Sequence, residues 1–446
     1  YHINFALKLE YGVVGDRLQR AFDAALDRHP ALFMRFVEAD GDFRQEQADK
    51  PVLTIEAAET EQEALVDALA ARAAQPFDLA EAPLRASFIS TPDGGSVFFL
   101  CCHHILCDGW AIQRFLNDVD AFYHALPGDA NEIARASAEF GRTVAWAAGL
   151  SDGAAALGAG DFWRAVYERP PPPLVFRGVP GDQVGLGAAG ATAFSLEDAV
   201  YRRFRKAAAD VGVTPASALT AATSALIARL HAETADLSIA MPFHGRLTPV
   251  VEDVTSFLAN TVALRCRPHD GLEFSTYARV VSASMRDAER HQLFGIDRLV
   301  EALNLGGRPT PLCQAMLAYQ RVEGARRRFA GVAASPLFVP VAHAKYPLTL
   351  VVDDDGERLS GRLEYARAAF SDQTARQWTQ RLVGILEQTA ENPDRRLGDF
   401  NVSIAADRVV SRRLDRADAK PARTALSQFA AFGDQRRRIR RAARRF

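Results

Sequence analysis

The sequence has only five cysteines and four methionines in 446 residues, and nowhere an apolar run of about eighteen. Without such a run no membrane-spanning helix is expected, and no membrane partner. The cysteines, Cys101, Cys102, Cys107, Cys266 and Cys313, form no even-numbered disulfide framework. Three of them lie in apolar sequence between 101 and 107, which fits buried, reduced thiols and a cytoplasmic location. A zinc site from Cys102, His103, His104 and Cys107 would need adjacent side chains that point apart to converge, and no second ligand pair occurs elsewhere; no metal is expected. Neither Met nor a signal sequence opens the chain, so its natural start is expected upstream of Tyr1. Charge is scarce in net terms, at −2, but unevenly spread. Residues 407–446 carry 13 Arg and Lys against 4 Asp, a net of +9, and the preceding 406 residues carry −11. An acidic body and a tail with little aromatic interleaving argue against a nucleic-acid partner. The tail reads either as a solvated terminus or as an electrostatic dock for an acidic protein.

What is present is length for two lobes, each with its own core, and one unusual stretch, SVFFLCCHHILCDGW over 96–110. Ser96 to Cys101 reads as a buried strand after the turn Asp93-Gly94-Gly95. Ile112, Phe115, Leu116, Val119, Phe122 and Tyr123 recur at the period of an amphipathic helix. His103, His104, Asp108 and Gly109 thus occupy a loop between two rigid elements, where a scaffold can place a reacting side chain. With an unperturbed pKa of about 6.5, a histidine can take and return a proton near neutral pH. Asp108 has three readings: a partner for an arginine, an orienter of an imidazole, or a cap for the following helix. Gly109 leaves room for a ligand or for positive φ.

CHHILCDGWA resembles the HHxxxDG signature of the condensation domains of nonribosomal peptide synthetases, within the superfamily that includes chloramphenicol acetyltransferase. Other segments agree. RHPALFMRF matches the family at Arg28, His29, Leu32 and Phe36, but has Phe33 where the family has a second arginine. Because that arginine is expected to pair with the motif aspartate, Arg28, Arg35 or an arginine of the second lobe must serve Asp108 instead. QPFDLAEAPLRASF matches ahead of the catalytic strand, and MPFHGR is similar to the family's glycine-arginine turn. SFLANTVALR keeps Phe257, Asn260, Thr261 and Arg265, with substrate contact and a structural role both open for Asn260. HQLFGIDRLVEAL keeps His291, Gln292 and Leu299.

The resemblance covers roughly Tyr1 to Val402 and implies an α/β fold. Two acetyltransferase-like lobes (1–169 and 191–405) would form a V-shaped pseudo-dimer with an interface tunnel, joined by a proline- and glycine-rich linker over 170–190 and followed by the basic tail, 406–446. It implies a free-standing or chain-terminal monomer that transfers an acyl group from the phosphopantetheine thioester of a carrier protein to an amine or hydroxyl, with no cofactor bound. In that scheme His104 handles the proton, His103 and Asp108 shape the loop, and Gly109 clears space for the pantetheine arm. Trp110, Asn260, Thr261 and Arg265 are the further site residues. A coenzyme A-dependent acyltransferase, an epimerising relative and a catalytically silent recruitment domain share parts of the pattern. The Trp110-Ala111 order favours a condensing member over an epimerising one, and the intact motif disfavours the silent one.

Local signals at element ends are also legible. Asp16, Ser195, Thr214 and Ser371 are placed as helix caps, with Gly212 as a terminator. Asp353-Asp354-Asp355-Gly356 reads as the turn of a hairpin.

Overall fold

The computed structural model describes residues 2–39, 41–58, 62–125, 154–172, 174, 187–231, 235–248, 251–305, 312–321 and 328–404. The linker expected over 170–190 and the basic tail lie largely or wholly outside these. By internal contacts the chain divides into residues 1–400 and 401–446; the architecture below is that of the first unit.

In chain order its first half holds β1 (His2–Leu9), α1 (Gly15–Arg28), β2 (Met34–Ala39), β3 (Asp42–Gln47), β4 (Leu53–Ala57), α2 (Gln62–Ala74), β5 (Leu84–Ser90), β6 (Ser96–His103), α3 (Gly109–His124) and α4 (Ala154–Val166). The second half holds β7 (Ala189–Ser195), α5 (Asp198–Val211), α6 (Pro215–His231), β8 (Leu237–Phe243), β9 (Asn260–Cys266), α7 (Phe274–Arg290), α8 (Ile296–Ala302), β10 (Ala315–Arg321), β11 (Arg328–Phe329), β12 (Val332–Pro336), β13 (Leu348–Asp354), β14 (Leu359–Ala366) and α9 (Asp372–Glu391). Two six-stranded sheets result, ordered β11-β12-β1-β6-β5-β4 and β7-β14-β13-β10-β8-β9, with β2 and β3 as a separate hairpin.

Strand β6 explains why the motif stretch is apolar throughout. Successive side chains of a strand point to opposite faces. Phe98, Leu100 and Cys102 enter a core with Phe22 and Leu26 of α1 and Phe115 of α3. Val97, Phe99 and Cys101 enter a second core with Leu65 and Leu69 of α2. A strand covered on both faces cannot alternate with polar residues. Its ladder neighbours β1 and β5 both run antiparallel to it, with His2 opposite His103.

One connection has no sequence signal. β12 belongs to the second half of the chain, yet it pairs with β1 of the first sheet, Leu7 opposite Pro336 and Leu9 opposite Ala334. It covers backbone that an open strand edge would leave unpaired.

The capping expectations divide. Ser371 accepts from the Thr374 N–H and Thr214 from the Ser217 N–H, and Gly212 closes α5 at φ +82°. Asp16 lies inside the first turn of α1 rather than capping it, and Ser195 ends β7, with α5 beginning three residues later. Asp16 still carries negative charge where the helix dipole favours it. The hairpin β13–β14 forms as expected, Asp354 opposite Leu359. Among the described residues no single helix is long and apolar enough to cross a membrane.

Candidate active site

The loop between β6 and α3 is held at each end by its own backbone and side chains. The His103 N–H donates to the Pro83 carbonyl at 2.9 Å, and the Leu106 N–H closes a turn onto the His103 carbonyl at 3.1 Å. Nδ1 of His103 accepts the Ile105 N–H at 3.2 Å, so this imidazole is engaged in shaping the turn. Burial lowers its pKa, which agrees with an unprotonated accepting nitrogen. Cys102 and Cys107 bracket the histidines as buried free thiols with sulfurs 3.2 Å apart.

His104 is placed differently. Its Nδ1 is buried, the backbone carbonyls of His104 itself and of Cys107 act on the ring to favour its protonated form, and the ring meets Phe257 edge to face with centroids 4.8 Å apart. Burial, and after it the positive charge of Lys345, lowers its pKa below the usual 6.5. Both causes disfavour the imidazolium. At neutral pH the side chain is therefore an uncharged base.

Asp108 combines two of its three readings. It is the N-cap of α3, with Oδ1 accepting the Ala111 N–H at 2.9 Å. Oδ2 accepts from Arg246 Nη1 at 2.9 Å and from the N–H groups of Leu258 at 3.0 Å and Ala259 at 2.8 Å. Side-chain exposure is 3% for Asp108 and 0% for Arg246, so this is a buried ion pair, tolerable because both carboxylate oxygens and both Nη groups are hydrogen-bonded; Arg246 Nε finds no partner among the described residues. The guanidinium also donates to the carbonyls of His244, Val254 and Ser256, at 2.8, 3.0 and 3.0 Å. Arg246 lies in the second half of the chain, and it takes the place that Phe33 vacates. Phe33 sits in the first core at 3% exposure, Arg28 and His29 bind Asp118 on α3, and Arg35 pairs with Glu46 on the hairpin.

The segment from Val251 to Ala259 is consequently strapped to α3. Trp110 Nε1–H donates to the Glu252 carbonyl at 3.0 Å, and Arg114 pairs with Asp253. The Trp110 ring faces His244, with centroids 5.7 Å apart. Gly245 makes the turn possible: its φ is +70°, and a Cβ there would lie 1.8 Å from the Leu258 oxygen. Its N–H donates to the fully buried Gln292 at 2.8 Å, and the Gln292 carbonyl accepts from Asn260 Nδ2 at 2.7 Å. Gly245→Ala is expected to destabilise the fold by more than the roughly 1–3 kcal/mol of a left-handed non-glycine residue, because the added methyl displaces the backbone that feeds Asp108. A denaturant midpoint equal to wild type would contradict this.

The remaining sequence-derived residues separate. Gly109 begins α3, and a Cβ there would meet only Gln320 Nε2, at 3.9 Å, so space lies open on that side. Thr261 is half-buried beside Asn260 at the start of β9. Arg265 lies near the other end of the same strand, about 17 Å along it at the usual strand rise. Its guanidinium forks onto Asp236, at 2.9 and 2.7 Å, and reaches the Val166 carbonyl. That places Arg265 in the scaffold and away from the histidines. The family resemblance marks the turn that carries Arg246 and the motif that carries Phe257, but gives neither a place beside Asp108 and His104.

The sequence model of the condensation domain matches residues 1–408. The chain is 28% identical over 421 residues to the dimodular nonribosomal peptide synthase of Bacillus subtilis, covering 90% of this chain and 18% of that one. The chain spans less than a fifth of the length of eight of the curated relatives it matches, between 5% and 18%. Among solved structures, it is similar to the first condensation domain of the calcium-dependent antibiotic synthetase in complex with a substrate analogue, at a TM-score of 0.77 and 17% identity, covering 90% and 93% of the two chains. The X-domain of teicoplanin biosynthesis, solved in complex with OxyB, matches at a TM-score of 0.69 and 24% identity, covering 90% and 91%.

Proposed function

The chain belongs to the condensation-domain family, and from that premise we propose that it transfers an acyl group from the phosphopantetheine thioester of a carrier protein to an amine or hydroxyl acceptor. The observation that carries this reading is His104, a neutral imidazole half-buried against Phe257, beside a carboxylate whose oxygens already take four hydrogen bonds. Asp108 is buried and bound by four donors, and Nδ1 of His103 is spent on the turn; the proton chemistry falls to His104.

In the reaction, the acceptor nitrogen or oxygen attacks the thioester carbonyl carbon while His104 takes or holds its proton. The tetrahedral adduct collapses with cleavage of the C–S bond, and the proton passes to the leaving sulfur, regenerating the neutral histidine. Holding both reactants at one site removes much of the entropic barrier, so no covalent acyl-enzyme is required. Gly109, with open space ahead of it, suits the passage of a pantetheine arm between the two sheets. No cofactor is assigned a role. The tail over 407–446, at net +9, suits an acidic carrier protein as its dock.

The test is a comparison of donors. The chain is incubated with an acyl group loaded on a carrier protein or on free coenzyme A, with a panel of amines and alcohols. Turnover from the carrier and little from coenzyme A is expected. The reverse preference would move the protein to the coenzyme A-dependent acyltransferases, and binding of a partner enzyme without consumption of either thioester would make it a recruitment domain.

The pH dependence follows from the lowered pKa of His104. A base whose conjugate acid is weakened stays unprotonated further into acid. The acid-side half-maximal point of kcat/KM is therefore expected below pH 6.5. A half-maximal point at or above pH 7 would exclude His104 as the group.

A further inference from the structure

Phe257 is a large aromatic side chain left 47% exposed on the segment that Asp108 and Arg246 clamp. Its two neighbours are fixed by the same ion pair. The Ser256 carbonyl accepts from Arg246 Nη2, and the Leu258 N–H donates to Asp108 Oδ2, each at 3.0 Å. The ring projects from this double anchor onto the His104 imidazole, which comes from the other half of the chain. We infer that Phe257 is a positioning residue, which transmits the buried Asp108–Arg246 pair to His104 and seats its ring for proton transfer. The inference rests on the reading of His104 as the base.

The placement makes physical sense of two observations at once. Asp108 does not touch the imidazole, since its oxygens are used by Ala111, Arg246, Leu258 and Ala259. Its influence on the histidine therefore needs an intermediary, and the residue between its two anchored neighbours is the one in ring contact with His104. An edge-to-face pair of this kind fixes ring orientation without a hydrogen bond. It also covers one side of the imidazole with an apolar surface. The other groups that act on the His104 charge are Lys345, the backbone carbonyls of His104 itself and Cys107, Asp108 and, on its own strand end, His103. None of them supplies an apolar surface.

The experiment compares wild type, Phe257→Ala, Phe257→Leu and Phe257→Tyr in the full chain. Two readouts are taken: kcat and KM with acyl-loaded carrier, and the NMR titration of the His104 ring, identified by its disappearance in His104→Ala. Phe257→Ala is expected to lower kcat by about tenfold to a hundredfold, in the range set by loss of reactant alignment, with a smaller change in KM. Its His104 is expected to titrate closer to 6.5 than in wild type, because water regains access, and the acid limb of the rate profile moves up with it. Phe257→Tyr, which keeps the ring, restores both readouts; Phe257→Leu keeps an apolar cover without the ring face and falls between. An unshifted His104 titration together with kcat within about twofold of wild type in Phe257→Ala overturns the inference. Should wild type prove inactive with every thioester, the titration alone still decides on Phe257, and only the reading of the reaction falls.

Discussion

Arg246→Ala is expected to destabilise the fold by about 3–5 kcal/mol, the magnitude seen when one partner of a buried ion pair is removed. The substitution leaves Asp108 buried with only three backbone N–H groups, and it orphans the carbonyls of His244, Val254 and Ser256, which the guanidinium fills. Arg246→Lys should rescue little, since a single ammonium cannot reproduce two nitrogens that reach four acceptors in one plane. Asp108→Asn probes the same hub from the other side. Three donors converge on Oδ2 and one on Oδ1. An amide offers one oxygen and one NH₂, so either rotamer sets a donor against a donor. The double variant should lose less than the sum of the singles, as residues in one network do. Denaturant unfolding of the two singles and the double measures this; additive losses, or a single loss under about 1 kcal/mol, would mean that the pair is not the lock between the halves of the fold.

His104→Ala is expected to act in the opposite way, removing turnover while leaving stability nearly unchanged. General acid–base groups contribute roughly 10²–10⁴ in rate. The side chain is half-buried and forms no ion pair among the described residues, so its removal leaves no buried charge without a partner. A His104→Ala protein that melts like wild type and turns over at background separates the chemistry from the scaffold. His103→Ala should differ, since its Nδ1 holds the Ile105 N–H, and it should lower stability together with rate.

What can be read from the sequence follows the range of the forces involved. The strand, loop and helix around the histidines are local, and their periodicity and turn residues announce them. Asp108 as a cap is local too, because its acceptor function reaches only to Ala111. Its partnership with Arg246 spans 138 residues, and no spacing rule connects them. The departure at Phe33 is the one local clue, since it requires the cation to come from somewhere else. The same logic covers β12, whose pairing with β1 is decided by an open sheet edge in the folded chain and not by its own five residues. In SFLANTVALR the family match groups Phe257, Asn260 and Arg265, but a strand carries the last of these away from the site at over 3 Å per residue. Asp16 and Ser195 have the composition of caps and each misses the N-cap position by two residues, because neighbouring residues compete for the same turn.

The central claim, that His104 drives acyl transfer from a carrier thioester, is tested most directly by intact-protein mass spectrometry of an acyl-loaded carrier protein incubated with acceptor and either the wild-type chain or His104→Ala. The prediction is that wild type strips the acyl mass from the carrier as the amide or ester appears, and that with His104→Ala the carrier stays loaded as in buffer. Equal unloading by both proteins, with equal product, would contradict it.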